Sequence, residues 1–249
     1  MLLLLVFLGL GQNCLWNSEI GQEKTVQRLR RVSYNEDPEG EKNFIYNPKG
    51  DLIYCITGAD SVNYIHYPDS IIQLNLHPDK YWEYKTSYIL GQGRKALNAM
   101  TFDKYGQLVR EENYTYDAVG RLSYYYRYYY VNNEVTQYNF MYEGDSLMKI
   151  YTMLPDGSDG NRFEFRYNVK VPNNFQPTVL GSWWDASPLD LLGRAPNYMP
   201  RTIICQSPQG DTLSHLAYQY FSAAKKDQLW VFETDRLNAF TNEIKLFGE

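Results

Sequence analysis

The sequence predicts an all-β protein, an antiparallel up-and-down meander curled into a closed or partly open barrel. From residue 26 onward, apolar and polar side chains alternate with a period of two, as Phe163 and Phe165 do with Arg162, Glu164 and Arg166. Turn signals rich in Gly, Pro, Asn and Asp separate roughly fifteen such stretches at intervals of about 8–14 residues, the rhythm of sandwiches and barrels. Tyrosine, which favours strands, occurs 24 times in 249 residues.

The N-terminus predicts export. Residues 1–10 read MLLLLVFLGL, an apolar run of signal-peptide length that is too short to span a bilayer as a helix. A hydrophobic run that ends at a cysteine, here Cys14, resembles a bacterial lipoprotein signal. We therefore expect a signal peptide over residues 1–13, a tether over 14–25 that carries a lipid on Cys14, and a single β domain over 26–249. The alternatives are ordinary signal cleavage and a buried N-terminal segment.

A repeated turn motif organises the chain. Two adjacent copies of aromatic-Asp-x-x-Gly-x-Leu cover residues 102–108 and 116–122, and a related copy covers 46–52. More degenerate copies lie at residues 142–147 and 207–213. The Asp carboxylate can bond the backbone two residues on, and the Gly supplies the positive φ of a tight hairpin. The spacing predicts an array of hairpins.

One segment breaks this rhythm. Residues 171–200 carry five prolines and the adjacent pair Trp183 and Trp184. A short helix is predicted over residues 187–193, because Ser187 suits the N-cap, Pro188 the first turn and Gly193 the C-terminal stop. The segment has two interpretations: it plugs or caps the sheet, or Trp183, Trp184 and Asp185 form a platform for a ligand such as a sugar.

Composition and spacing argue against most cofactor and nucleic-acid chemistry. The net charge is −5 and the pI about 5.3, without the basic patch that nucleic-acid binding requires. No pair of the three histidines has metal-ligand spacing on a helix, Cys-x-x-Cys is absent, and no phosphate loop occurs. We expect no metal and no cofactor. Cys55 and Cys205 are either a disulfide pair or two buried free thiols.

Catalytic interpretations are weak. Residues 144–147 match the letters of the GDSL hydrolase motif, but both flanks alternate as strands, so a hairpin turn is the simpler interpretation. Carboxylates are plentiful, and Glu111 with Glu112 is one neighbouring pair. A glycan-active hydrolase that uses carboxylates near Trp183 and Trp184 therefore remains the alternative to a protein without catalysis.

The leader that ends near a cysteine, the Tyr-Asp-x-x-Gly-x-Leu turns and the late Leu-Leu-Gly…Met-Pro-Arg segment over residues 191–201 resemble a group of Bacteroidetes envelope lipoproteins with a porin-like fold and no assigned activity. This resemblance implies an exported, periplasmic or outer-membrane-associated protein with an up-and-down antiparallel sheet, and it implies no activity. Our leading hypothesis is a non-catalytic envelope protein that binds or scaffolds. Its expected partners are a membrane through the lipid anchor and a glycan or another envelope protein. The turn motif also resembles, more weakly, the YD repeats of large bacterial shell proteins. Four Asp-Ser/Thr-aliphatic triplets resemble the O-glycosylation acceptors of such envelope proteins; their hydroxyl residues are Ser61, Ser70, Ser146 and Thr212.

Overall fold

The structure, a computed structural model, describes residues 27–35, 37–76, 82–167, 171–172, 175–176, 197–222, 228–237 and 240–248. In these ranges the chain is almost entirely β strand, and the one helical element is the 3-10 turn Gln92–Arg94. The predicted all-β class is confirmed. The predicted helix over residues 187–193 lies outside the described residues.

Sixteen strands form a closed antiparallel barrel. In chain order the strands are β1 Gln27–Tyr34, β2 Asp37–Tyr46, β3 Leu52–Thr57, β4 Asp60–His66, β5 Ser70–Leu76, β6 Trp82–Leu90, β7 Ala96–Asp103, β8 Leu108–Tyr116, β9 Leu122–Tyr129, β10 Glu134–Glu143, β11 Ser146–Met153, β12 Asp159–Arg166, β13 Val171–Pro172, β14 Phe175–Gln176, β15 Tyr198–Met199, β16 Thr202–Gln206, β17 Thr212–Ser222, β18 Gln228–Asp235 and β19 Phe240–Gly248. Within the barrel each strand pairs with the next, and β12 pairs with β16. Closure occurs at β1, which pairs with both β2 and β19. The short strands β13 and β15 pair with each other, and β14 runs parallel to β1.

Period-two alternation divides each strand between the lumen and the outer wall. The alternation on β12 is confirmed, because Phe165 is buried in the core and Phe163 packs against it, while Glu164 and Arg166 form an outward ion pair at 2.9 Å. On β5 the apolar face is the outer one, because the buried Ile71 shares the inward face with Gln73 and Asn75. The outer wall therefore carries aliphatic residues such as Ile72, and hydrophobicity alone does not mark the inside.

The repeated motif forms a five-residue loop. The backbone N–H of position 1 donates to the carbonyl of position 5, and the backbone N–H of position 4 donates to the carbonyl of position 1. Position 4 has a positive φ, +79° at Gly106 and +87° at Gly120, so a glycine there avoids the clash of a Cβ. The same two bonds close the loops over residues 47–51, 91–95, 103–107, 117–121, 154–158 and 207–211. The degenerate copy at 142–147 differs, because Glu143 pairs with Ser146 and leaves a two-residue loop.

The loops define two rims. We call the end with loops 47–51, 91–95 and 117–121 the upper rim, and the opposite end the lower rim. At the upper rim, tyrosine hydroxyls donate to backbone carbonyls near the start of an earlier strand. The bonds run from Tyr46 to Leu29 at 2.8 Å, Tyr116 to Ala96 at 2.7 Å, Tyr142 to Leu122 at 2.9 Å, Tyr167 to Leu147 at 2.7 Å, and Tyr220 to Pro200. Each bond joins two neighbouring strands beyond the last residue pair of their ladder, so the tyrosines extend the contact between those strands at the rim.

A cation lies over several of these rings. Arg121 lies 4.3 Å from the ring centroid of Tyr142, and its guanidinium also donates to the Gly144 carbonyl. Lys95 lies 5.4 Å from the ring of Tyr116 and directly against Gly120, where any Cβ would collide with it. Gly120 thus has a second role, since it leaves space for Lys95 from the preceding loop of the same rim, 91–95.

Candidate functional site

The lower half of the lumen carries a belt of polar side chains across five neighbouring strands, β5 to β9. Strand pairing aligns Gln73, Thr86, Thr101, Arg110 and Tyr129 in one row. The next row towards the upper rim contains Tyr88, Glu112 and Arg127. We call these eight residues, with Asn75 and Tyr125, the polar belt.

The belt is hydrogen-bonded along its length. The Tyr88 hydroxyl donates to Gln73 Oε1 at 3.0 Å, and Gln73 Nε2 donates to Asn75 Oδ1 at 2.9 Å. The hydroxyls of Thr86 and Thr101, both buried, share a hydrogen bond of 2.9 Å. Because buried polar groups are costly unless they are paired, these bonds allow a polar layer inside the barrel.

An ionic cluster forms one end of the belt. The carboxylate of Glu112, whose side chain is only 2% exposed, lies 3.1 Å from Arg127 Nε and 3.4 Å from Arg110 Nε. The Tyr125 hydroxyl donates to the same carboxylate, and Arg127 also donates to the Tyr129 hydroxyl at 3.0 Å. Two guanidinium groups thus share one carboxylate. Removing that carboxylate would leave both cations uncompensated.

The surroundings fix the protonation states of the cluster's phenols and guanidiniums. Burial raises the pKa of Tyr125, and the neighbouring Glu112 carboxylate raises it further. Burial acting alone would lower the pKa of Arg127, but Tyr125 and Glu112 outweigh it, so the pKa of Arg127 rises. Burial would likewise lower the pKa of Arg110, but Glu112, Tyr88 and Tyr125 together outweigh it, so the pKa of Arg110 rises. Over the physiological range the phenol is neutral and both guanidiniums are charged.

Aromatic rings pack beside the cluster. Tyr114 stacks on Tyr125 with ring centroids 5.3 Å apart, and Tyr125 stacks on Tyr138 at 5.7 Å. These contacts hold the Tyr125 hydroxyl against Glu112 and limit the movement of the carboxylate.

The cluster also retains capacity for a ligand. The side chains of Arg110 and Arg127 are 26% and 20% exposed, so solvent reaches part of each side chain. The Arg110 Nε is buried and lacks a hydrogen-bond acceptor of good geometry. With amides and tyrosines alongside, this arrangement can bind a small acidic, hydroxyl-rich molecule.

The structure places the neighbouring carboxylates of Glu111 and Glu112 on opposite faces of β8. Glu112 points into the lumen, whereas Glu111 lies on the outer face and accepts a hydrogen bond from the Tyr130 hydroxyl at 3.0 Å. Ser146 lies at the start of β11, paired with Glu143 across a hairpin, and not at a strand-to-helix turn. The residues around Trp183, Trp184 and Asp185, which the hydrolase and ligand-platform hypotheses require, lie outside the described residues, as do Cys14 and the leader.

The four predicted glycosylation positions lie just after turns, as expected, but they are divided between the two rims of the barrel. Ser70 and Ser146 lie at the upper rim, and Ser61 and Thr212 at the lower rim. Thr212 is exposed, and the three serines are half-buried. Ser70 Oγ donates to Asp69 at 3.2 Å.

Cys55 and Cys205 are buried free thiols in the structure, on β3 and β16. Burial raises the pKa of both thiols, which lowers their reactivity. Across the described ranges, no group of three His, Cys, Asp or Glu side chains is placed to hold a metal ion. None of the helical structure in those ranges is long and apolar enough to cross a membrane.

Solved structures from Bacteroides share this architecture. A porin-like protein from Bacteroides uniformis superimposes with a TM-score of 0.63 at 12% sequence identity, covering 90% of this chain and 100% of that one. A porin-like protein from Bacteroides vulgatus gives a TM-score of 0.61, also at 12% identity, covering 90% and 99%. No family model and no curated protein matches the sequence. At this identity the likeness establishes the barrel fold.

The sequence interpretation missed the ionic cluster, although a signal for it was present. In β8 the residues Arg110, Glu112 and Tyr114 alternate on one face. The five-residue loop over 117–121 and the register shift between Thr115 and Tyr116 together place Glu112 opposite Arg127. The turn geometry alone would have placed Glu112 opposite Tyr126, so the pairing of the two charges depends on the bulge.

Proposed function

We propose that this chain is an exported, non-catalytic barrel of the bacterial cell envelope that binds an acidic carbohydrate at its polar belt. The observation that carries the proposal is the ionic cluster, in which Arg110 and Arg127 share the single carboxylate of Glu112. A ligand carboxylate would complete this charge balance, and guanidinium groups bind carboxylates in a bidentate manner. The amides of Gln73 and Asn75 and the tyrosine rings suit sugar hydroxyls and sugar faces.

We further propose that a lipid on Cys14 holds the barrel at a membrane. The apolar run that precedes Cys14 supports this anchor, and the porin-like names of the structurally similar Bacteroides proteins support an envelope location. The test is radiolabelled fatty-acid incorporation and membrane fractionation of the wild-type chain beside Cys14→Ser. Label and membrane association that are unchanged in Cys14→Ser would refute the anchor.

The carbohydrate proposal is tested on an array of acidic and neutral glycans, with titration calorimetry on the glycans that bind. We expect uronic-acid glycans to bind and their neutral counterparts to bind much more weakly. Arg110→Gln should weaken binding about 10-fold or more, because a charge-assisted hydrogen bond is lost. Arg94→Gln, an exposed cation at the upper rim, is the control and should bind normally.

Arg110 is the better probe of the two arginines, because its Nε lacks a well-formed hydrogen bond and its loss disturbs the fold less than loss of Arg127. Equal binding of acidic and neutral glycans, or full binding by a folded Arg110→Gln variant, would contradict the proposed site.

A further inference from the structure

A cationic groove opens on the barrel wall where the chain closes on itself. Its volume is about 850 Å³, and it lies between the upper ends of β1 and β2. Three arginines line it, Arg28, Arg30 and Arg31, together with the apolar side chains of Ile45 and Phe247. None of these residues belongs to the polar belt.

Strand pairing explains the opening. The ladder between β1 and β2 begins at Arg31 opposite Asn43, so above that level the two strands are joined by the Tyr46–Leu29 hydrogen bond. The register of β1 against β19 shifts between Leu29 and Arg31, which makes Arg30 a bulge residue. A bulge bends its strand and redirects side chains, so cations follow one another closely along this edge.

Two of the arginines are held in place. The guanidinium of Arg31 lies 3.9 Å from the ring centroid of Phe247, and 3.6 Å separates it from the Glu41 carboxylate. Arg28 lies 5.9 Å from the ring centroid of Tyr46 and against Gly50, where a Cβ would fall within 1.9 Å of its guanidinium. Such positioning reduces the entropy that an anionic ligand must overcome on binding.

Charge balance indicates the ligand class. At the equivalent position in a later hairpin, Arg121 also lies over a rim tyrosine but forms an ion pair with Asp117 at 2.7 Å. Among the described residues, no carboxylate pairs with Arg28. Within the described part of the chain the charge of Arg28 is therefore not balanced by an ion pair, and positioned arginines favour phosphate.

Its surroundings indicate a membrane. The outer wall beside the groove exposes a set of large apolar side chains on β2, β3 and β4, namely Ile45, Tyr54, Ile56 and Ile65. Cations beside exposed apolar side chains are typical of proteins that rest on an anionic lipid surface. The groove also lies at the start of β1, directly after the proposed tether from Cys14.

We propose that the groove binds the phosphate of an anionic phospholipid headgroup and orients the barrel, upper rim first, against the membrane. This inference rests on the proposed anchor only for the identity of that membrane, and it is independent of the polar belt.

The test uses the full chain carrying Cys14→Ser, so that no lipid anchor contributes. Sedimentation is measured with vesicles of phosphatidylcholine alone and of phosphatidylcholine mixed equally with phosphatidylglycerol. Binding is expected only to the mixed vesicles. Replacing Arg28 and Arg31 by glutamine should weaken it about 30-fold, given the usual gain per cation near an anionic surface.

The matched control replaces Arg162 and Arg166 by glutamine, which removes the same charge from the outer wall of β12 and should change binding less than 2-fold by the same electrostatics. Equal losses in both double variants would show diffuse attraction and overturn the proposal. Calorimetry with inorganic phosphate distinguishes the source: saturable binding of free phosphate that displaces the vesicles would overturn a lipid site. If the double variant does not fold, Arg28→Gln alone carries the test, with an expected loss of about 5-fold.

Discussion

The tyrosine hydrogen bonds of the upper rim make a quantitative prediction about stability. Tyr142→Phe removes the hydroxyl that donates to the Leu122 carbonyl at 2.9 Å and keeps the ring beneath Arg121. A hydrogen bond contributes about 1 kcal/mol net, and a half-buried carbonyl left without its donor adds to the loss. We therefore expect the free energy of unfolding to fall by about 1–2 kcal/mol, which lowers Tm by roughly 3–6 °C in a chain of this size.

The assay is urea unfolding followed by far-ultraviolet circular dichroism, in which the midpoint should fall at unchanged slope. Tyr105→Phe is the matched control, because Tyr105 is 76% exposed at the lower rim and should change the free energy of unfolding by less than about 0.5 kcal/mol. If Tyr142→Phe unfolds at the same urea concentration as Tyr105→Phe, the rim hydrogen bonds do not stabilise the barrel and the reasoning is wrong.

Three further perturbations test the charged and titrating groups. Glu112→Gln should lower the free energy of unfolding in urea by about 3 kcal/mol, because the partly buried Arg110 and Arg127 lose a buried carboxylate, whereas Glu111→Gln on the outer face of the same strand should be nearly neutral. Burial raises the pKa of Tyr142 above its usual value, so the neutral phenol's contribution to stability is complete below about pH 10 and is lost as the pH rises further, by up to about 1.4 kcal/mol per pH unit. Ionisation of Tyr142, followed by absorbance at alkaline pH, should therefore coincide with unfolding. Ionisation of Tyr142 in the folded barrel would contradict this prediction. Asp117→Ala should destabilise by up to about 1 kcal/mol more than Asp103→Ala at the equivalent position of loop 103–107, because only Asp117 also pairs with an arginine, and equal losses would show that the ion pair adds nothing.

Local signals in the sequence predicted much of this fold. The Asp-x-x-Gly turns predicted hairpins, and the alternation around Phe165 predicted a strand with its aromatic face inward. Both follow from short-range physics, since a positive φ selects glycine and a pleated strand separates its two faces.

Assigning faces required knowledge of the whole barrel. Ile72 and Leu74 look like core residues, but the closed sheet turns them outward and turns Gln73 into the lumen. Alternation of apolar and polar side chains separates the two faces of a strand but does not show which face is buried. In a wide barrel both faces carry apolar and polar residues. The cationic groove was equally hidden, because it depends on where β1 meets β2 and on a bulge at Arg30.

The seam at β1 also has a consequence for the order of folding. Most neighbouring strands are joined by short loops and can form local hairpins. The pairing of β1 with β19 instead requires contact between residues far apart in the sequence, such as Leu29 and Gly248. The entropy of closing so large a loop grows only slowly with its length, but the search delays folding, and until it ends two unpaired strand edges are exposed to other chains.

We therefore expect a slow, late refolding phase and a concentration-dependent loss to aggregates during that phase. A circular permutant that joins β19 to β1 through a short hairpin loop and opens the chain within residues 154–158 would relocate the last closure to the β11–β12 pair. In this permutant β1 and β19 are already linked. If it aggregated with the same time course as the parent chain, closure of the β1–β19 seam would not be the step during which the chain is exposed to aggregation.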